Sequence, residues 1–460
     1  MQTGDRGTGG GAESWSGRLA FILASVGAAV GLGNIWKFPY TVGSSGGTAF
    51  VLVYVLAILI IATPIMLSEM MIGRRGKASA PTAMKNLAAE HNASPSWAML
   101  GWMGVFALGL VLSFYSVIAG WTLAYLGKSA SGALNGLTPE EVGASFGAFL
   151  HNPLPMIFWH AVFTGATVLV ISKGIKFGLE RVVKFLMPAL FITLVGLVIN
   201  SAIVGDFKSA TDFLFSADVS KITGPVALAA VGQAFFSVNV GVGAVLTYSA
   251  YLPKNVNLFR AAVTVSLGDT LVALLAGLAI FPIVFANGLD PAEGPGLIFV
   301  TLSSAFATMP GGALIGAAFF LMILFAALTS SISMLETMTM RAAERASVSR
   351  TKAACLIGTG TFLLGLVTVF SFSSWEKVYP LGNFTTFATK TPFDLIDYFV
   401  SNLVLPIGGV LYAVFAGWII SHEVQVEELG VGDGALYKLW LVLTRFIAPI
   451  AIAAVLVANL

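Results

Sequence analysis

The chain has 460 residues, a formal net charge of +2, and 57% hydrophobic against 10% charged residues, where a soluble domain carries about 25% charged. So few charges build no water-facing surface, the near-neutral balance gives no support to a nucleic-acid binder, and a single cysteine, Cys355, excludes an intramolecular disulfide. The four histidines (His91, His151, His160, His422) have no metal-ligand spacing, so the lipid bilayer is the expected main solvent.

The N-terminus is glycine-rich and polar through Glu13, and the apolar run after Trp15 is longer than a signal-peptide core, with no A-x-A site behind it. That predicts a retained first span. Apolar runs long enough to cross a bilayer lie near 18–40, 46–73, 98–128, 154–172, 178–203, 224–252, 260–287, 311–345, 354–371, 391–420 and 435–458, which makes about eleven helices. They are apolar on every side, which excludes a barrel of alternating strands. The expected fold is an all-α polytopic membrane protein, one transmembrane domain over 1–460. Segments 129–153 and 288–310 are too interrupted to span and read as external loops carrying short amphipathic pieces. Basic residues gather on alternate loops: Arg74, Arg75, Lys77 and Lys85; Lys173, Lys176, Arg181 and Lys184; Lys254 and Arg260; Arg341, Arg345, Arg350 and Lys352. By the positive-inside rule the N-terminus is cytoplasmic and, with an odd helix count, the C-terminus lies outside the plasma (inner) membrane.

Two spans are interrupted. The first holds the run from Gly27 through Gly31 and Gly33 to Asn34, and the sixth holds Ser237 to Gly243 with Asn239 and two glycines. Glycine costs about 1 kcal/mol in a helix relative to alanine, and unwound backbone at membrane depth is tolerated only where it lines a protein cavity. A single small-residue pattern is as readily explained by close helix packing. Two breaks five spans apart point instead to two inverted five-helix repeats, 18–203 and 224–420, followed by an additional helix at 435–458, with a midplane binding site between the breaks.

The run GLGNIWKFPY (Gly31 to Tyr40) resembles the neurotransmitter:sodium symporter family, and closely its bacterial amino-acid transporters. The likeness continues through GGTAFVLVY (Gly46 to Tyr54), Glu69 with Gly73-Arg74, Phe114-Tyr115, Trp121, GQAFFSVNVGVGA (Gly232 to Ala244), LTSSIS (Leu328 to Ser333), and Asp394 with Asp397. Paired breaks in the two halves are a known feature of that family.

The resemblance implies a sodium-coupled symporter carrying a small neutral L-amino acid by alternating access, with two sodium ions. The first would use the Ala29 carbonyl, Asn34, Ser237, Asp269 and the substrate carboxylate; the second the Gly27, Val30 and Ala326 carbonyls with the Thr329 and Ser330 hydroxyls. Where monoamine carriers of the family have aspartate this chain has Gly31, which implies that the substrate brings its own carboxylate. That group would meet the Leu32 and Gly33 amides and the Tyr115 hydroxyl, and the amine would meet the carbonyls of Ala29, Phe236, Ser237 and Asn239. The side chain would lie among Val111, Tyr115, Phe236, Val242, Ser331 and Met334, which offer no charge and so favour an apolar substrate.

Asp269 departs from the asparagine usual in the family, and the family's nearby glutamate is Ala273 here. A carboxylate in mid-span is costly and usually functional. Ionised beside sodium it would remove any chloride requirement; without a cation its burial favours proton uptake, a route to proton countertransport. Lys37 and Asp397, with Tyr115 and Phe236, match the external gate. A cytoplasmic gate would join Trp15, Tyr251 and Glu344, with Arg6 in place of an arginine whose position holds Ala12. Gly178 and Pro188 have the spacing of a segment able to unwind; Glu69 would support the sixth-span break, and Glu336 would join a cytoplasmic polar network. An ion channel would need a filter repeat, and an intramembrane enzyme a motif such as G-x-S-x-G or H-E-x-x-H; the sequence has neither.

Overall fold

The structure is a computed structural model that describes residues 14–216, 219–292, 296–346 and 348–458. Among these residues every regular element is a helix. In chain order they are α1 Arg18–Ala29, α2 Gly33–Ser44, α3 Thr48–Gly76, α4 Ala80–Glu90, α5 Pro95–Ala130, α6 Pro139–His151, α7 Pro153–Ser172, α8 Ile175–Val204, α9 Phe207–Phe215, α10 Gly224–Val238, α11 Ala244–Ala250, α12 Leu258–Ala286, α13 Leu297–Thr308, α14 Gly312–Arg345, α15 Arg350–Ser371, α16 Pro392–Ile419, α17 His422–Leu429 and α18 Ala435–Ala458.

Among the described residues nine of these helices are long and apolar enough to cross a membrane, and the bent pair α1 and α2 makes a tenth. The predicted span at 224–252 is present as α10 and α11 with residues 239–243 between them. The loops expected at 129–153 and 288–310 carry α6 and α13. Side-chain caps fix several helix starts: Thr138 and Glu141 form a reciprocal capping box at α6, and Asn257 accepts from the Arg260 amide at 2.9 Å at α12.

Burial sorts the helices into an inner and an outer set. The most apolar stretches of α3, α5 and α12 are 67%, 72% and 67% buried, whereas those of α8 and α18 are 33% and 22% buried and so face the lipid side. α5 packs along α14, α11 along α3, and α12 along α8, with α1 wedged against α12 and α14. Two glycines let the unwound sixth span approach: a Cβ at Gly73 would lie 2.0 Å from the Leu246 carbonyl oxygen, and one at Gly104 2.3 Å from that of Val242. Small residues at such crossings bring backbones together where lipid supplies no hydrophobic drive.

Candidate substrate and cation site

The first break is geometric. Val30 takes an extended conformation (φ −67°, ψ 112°) while its N–H still reaches the Val26 carbonyl at 2.7 Å, and α2 restarts at 49° to α1. The freed Gly31 N–H is taken up by Asn34 Oδ1 at 3.0 Å. A Cβ at Gly31 would lie 2.6 Å from Ser330 Oγ and 2.7 Å from the Tyr115 hydroxyl, so any side chain here would have to displace one or both of these hydroxyls.

At the second break Asn239 (φ 54°), Gly241 (φ 92°) and Gly243 (φ 76°) are left-handed, which ends α10 and turns the chain into α11. Glycine enters that region without steric cost and asparagine at a small one. The Gly241 N–H donates to Glu69 Oε1 at 2.6 Å, so a buried carboxylate from α3 satisfies an amide that helix unwinding released. Gln233 of α10 ties the breaks together through its Nε2 bond to the Gly33 carbonyl at 2.9 Å.

Between the breaks stands a fully buried polar cluster. Asn34 Nδ2 donates to Asp269 Oδ1 at 2.7 Å and lies 2.9 Å from Ser237 Oγ; Ser237 donates to Asp269 Oδ2 at 2.7 Å. Tyr54, which sequence reasoning placed in a motif without a role, brings its hydroxyl to 3.3 Å from Asp269 Oδ2 and 3.0 Å from Ser237 Oγ. One negative charge among oxygen donors is a donor set chemically suited to a small hard cation.

A second cluster forms where α14 passes the first break. Ser330 Oγ lies 3.2 Å from the Gly27 carbonyl oxygen and 2.9 Å from that of Val30. Thr329 Oγ1 donates to the Ala326 and Phe325 carbonyls at 3.0 and 3.1 Å, and a Cβ at Gly27 would lie 3.1 Å from Thr329 Cβ. These oxygens are all neutral.

Beside both clusters lies a cavity walled by Ala29, Val111, Phe236, Val242, Met334 and Leu405, with Tyr115, Ser330 and Asn239 as its polar members; no charged side chain lines it. The Tyr115 hydroxyl accepts from the Leu32 N–H at 3.2 Å, so Leu32 contributes its amide, and Gly33 is part of the wall. Ser331 was expected in this wall. Ser330 is there instead, and Ser331 shares a 2.9 Å hydrogen bond with Thr167 of α7.

The two gates differ from expectation. Among the described residues Lys37 and Asp397 form no direct ion pair; Lys37 Nζ sits 3.9 Å above the Phe236 ring, and Asp397 accepts from Ser401 at 2.9 Å. An ammonium is a compact point charge that the electron-rich face of an aromatic ring attracts. Phe236 and Leu405 also border a second cavity of about 510 Å³, so the two spaces share these side chains as wall.

At the opposite end Trp15 and Tyr251 do meet: Trp15 Nε1 donates to the Tyr248 carbonyl at 2.9 Å, and the Trp15 and Tyr251 rings are 6.5 Å apart. Glu344 does not join them. It lies eight residues beyond Glu336, about 12 Å along the helix, and binds Ser79, Thr82 at 2.8 Å and Arg341 at 2.9 Å. The Tyr251 hydroxyl instead donates to Glu336 at 2.7 Å, and Glu336 is paired with Arg350. Arg6, expected at this gate, is outside the described residues. Gly178 packs against α7, where its Cβ would fall 2.1 Å from the Val170 carbonyl oxygen, and Pro188 sits inside α8, which runs on as helix past it, one residue after Met187, whose sulfur lies against Gly27.

The chain matches the Sodium:neurotransmitter symporter family over residues 12–138 and 144–460. It is 39% identical over 444 residues to the Uncharacterized sodium-dependent transporter YhdH of Bacillus subtilis (strain 168), covering 96% of each chain. It is 34% identical to an Uncharacterized sodium-dependent transporter of Haemophilus influenzae, over 97% of this chain and 98% of that one. Its fold superposes on the crystal structure of MhsT in complex with L-phenylalanine with a TM-score of 0.90 and 42% identity, covering 98% of this chain and all of the other. With two broken spans around a buried oxygen cluster, the chain belongs to the sodium:neurotransmitter symporter family, whose members are sodium-dependent transporters and not enzymes.

Proposed function

We propose that this protein carries a small neutral, hydrophobic L-amino acid into the cell with two sodium ions, by alternating access and without chloride. The carrying observation is the uncharged cavity bordered by both helix breaks, with the Leu32 amide and Tyr115 hydroxyl at one end and Val111, Phe236, Val242, Met334 and Leu405 around the rest. A zwitterion suits that division: its carboxylate faces amide and hydroxyl donors, and an apolar side chain meets no buried charge. The likeness to a protein solved with L-phenylalanine supports the same class.

The first sodium is assigned to the Ala29 carbonyl, Asn34, Ser237, Asp269 and the substrate carboxylate, the second to the Gly27, Val30 and Ala326 carbonyls with Thr329 and Ser330. Asp269 supplies the negative charge at the first site, which leaves chloride no role, and it takes up a proton for the return step. Phe236, Tyr115, Lys37 and Asp397 close the outer side; Trp15, Tyr251 and Glu336 close the inner. The helices from 18 to 203 and from 224 to 420 form inverted repeats, the N-terminus is cytoplasmic and the C-terminus is outside.

Purified protein is screened against the neutral amino acids for sodium-dependent thermal stabilisation in chloride-free buffer, with potassium as control. Stabilisation by apolar amino acids in sodium alone is the expected result. Stabilisation only by charged or amine-only ligands, or only when chloride is added, would overturn the assignment.

A further inference from the structure

On the lipid-facing side of α7, α8 and α14 the structure holds a groove of about 700 Å³ that the transport site does not use. Its long walls are apolar: Leu169 from α7, Val182, Phe185 and Leu186 from α8, and Leu328 from α14. Leu169, Phe177 and Phe185 are 59%, 78% and 69% exposed, so the groove opens outward between helices that already face lipid. Its two charged lining residues, Lys173 and Arg181, are both basic, and neither makes an ion pair among the described residues. The nearest acid in sequence, Glu180, is turned away and buried, held by the Ser16 amide at 3.0 Å and by Lys184 at 2.6 Å. Among the described residues nothing acidic on the groove's wall opposes the two cations.

We propose that this groove holds one anionic phospholipid, its headgroup on Lys173 and Arg181 and an acyl chain along Leu169, Val182 and Phe185. A cationic rim above an apolar slot matches a ligand with one negative end and one hydrocarbon end, and an anionic headgroup brings the pair a net negative charge that a zwitterionic headgroup, with its own ammonium, does not. The groove floor adds a consequence. Leu328 immediately precedes Thr329, and Met187 of α8 touches Gly27, so a chain seated there presses on the helices that flank the second oxygen cluster. The proposal rests on the groove alone and does not depend on the substrate or ions assigned above.

The test is native mass spectrometry of the full chain in detergent with equimolar phosphatidylglycerol and phosphatidylcholine. Each basic residue near an anionic headgroup is worth about fivefold in affinity, so the K173A/R181A double variant should retain phosphatidylglycerol roughly 25-fold less well than wild type. Val182→Trp, which fills the slot without touching charge, should lose it as well, and Lys208→Ala, placed away from the groove, should not. Equal retention of the two lipids by wild type would overturn the proposal. So would undiminished retention by K173A/R181A or by Val182→Trp, or a loss in Lys208→Ala as large as in the double variant.

Discussion

Substituting Asp269 by asparagine changes almost no volume and removes one charge. In the structure Asn34 Nδ2 and Ser237 Oγ each donate to this carboxylate at 2.7 Å, with Tyr54 at 3.3 Å. An asparagine keeps one acceptor oxygen for Asn34, and the Ser237 hydroxyl can turn to accept from the new amide, so the packing survives. What is lost is the attraction for a bound cation. Two unit charges about 4 Å apart at an effective dielectric of about 20 attract by ~4 kcal/mol, and the asparagine carbonyl dipole recovers part of that. A net loss of about 3 kcal/mol corresponds to roughly 100-fold in affinity. The assay is sodium-dependent substrate binding by scintillation proximity, titrating sodium in chloride-free buffer. Asp269→Asn should shift half-saturation upward by about two orders of magnitude, and added chloride should recover part of the shift. Sodium activation within about threefold of wild type would refute the assignment of Asp269 to the cation, and strict chloride dependence of the wild type would refute the reasoning about charge.

Gly31→Ala forces a methyl to within 2.6 Å of Ser330 Oγ and 2.7 Å of the Tyr115 hydroxyl; overpacking of this kind costs about 1–3 kcal/mol, so substrate affinity should fall at least several-fold. Gly232→Ala, where a Cβ meets nothing within 4 Å, is the matched control and should bind as wild type does. Arg350→Ala removes the guanidinium paired with the buried Glu336 carboxylate, and breaking a buried pair on one side costs about 3–5 kcal/mol. It should lower the thermal midpoint more than Arg350→Ala combined with Glu336→Gln, and the reverse order would show the pair is not the stabilising contact. The exposed His151 has its imidazole raised above the ordinary value, first by the Gly147 carbonyl and then by Glu376, to which it is paired at 2.8 Å. Because the folded value is the higher, this contact between α6 and the loop after α15 is fully present below the ordinary imidazole value and is lost as pH rises through the raised one. NMR titration of labelled His151 should show that rise, and Glu376→Gln should reduce it.

The broken helices were legible because glycines and asparagines in mid-span recur at two corresponding places: helix gives way at Val30 to Leu32, inside the Gly27–Asn34 run, and at Asn239 to Gly243, inside the Ser237–Gly243 run. Asp269 was legible for the same reason, since a carboxylate in a span needs partners. Helix phase was not. Neighbouring residues on a helix point about 100° apart, so Ser330 and Ser331 are equivalent in sequence, yet only Ser330 reaches the first break while Ser331 faces Thr167. Tyr54 and Gln233 were missed because their partners, Asp269 and the Gly33 carbonyl, are more than 190 residues away, and Arg350 because it lies on a loop edge where a basic residue is already explained by membrane orientation.

The two oxygen clusters share one short stretch of backbone. Val30 turns its carbonyl toward Ser330, Gly31 gives its N–H to Asn34, and Leu32 gives its N–H to Tyr115. These three residues cannot reorient independently, because Gly31 is hemmed in by Ser330 and Tyr115 on one side and bonded to Asn34 on the other. A ligand that fixes the carbonyl of Val30 therefore also fixes the Asn34 side chain, and with it Ser237 and Asp269. On the assignment proposed above, any two of the ligands at these clusters and cavity would change each other's affinity by the same factor, as linkage requires. Under that proposal, coupling of solute to sodium needs no long-range signal: three consecutive residues, Val30 to Leu32, touch both clusters and the Tyr115 hydroxyl at the cavity.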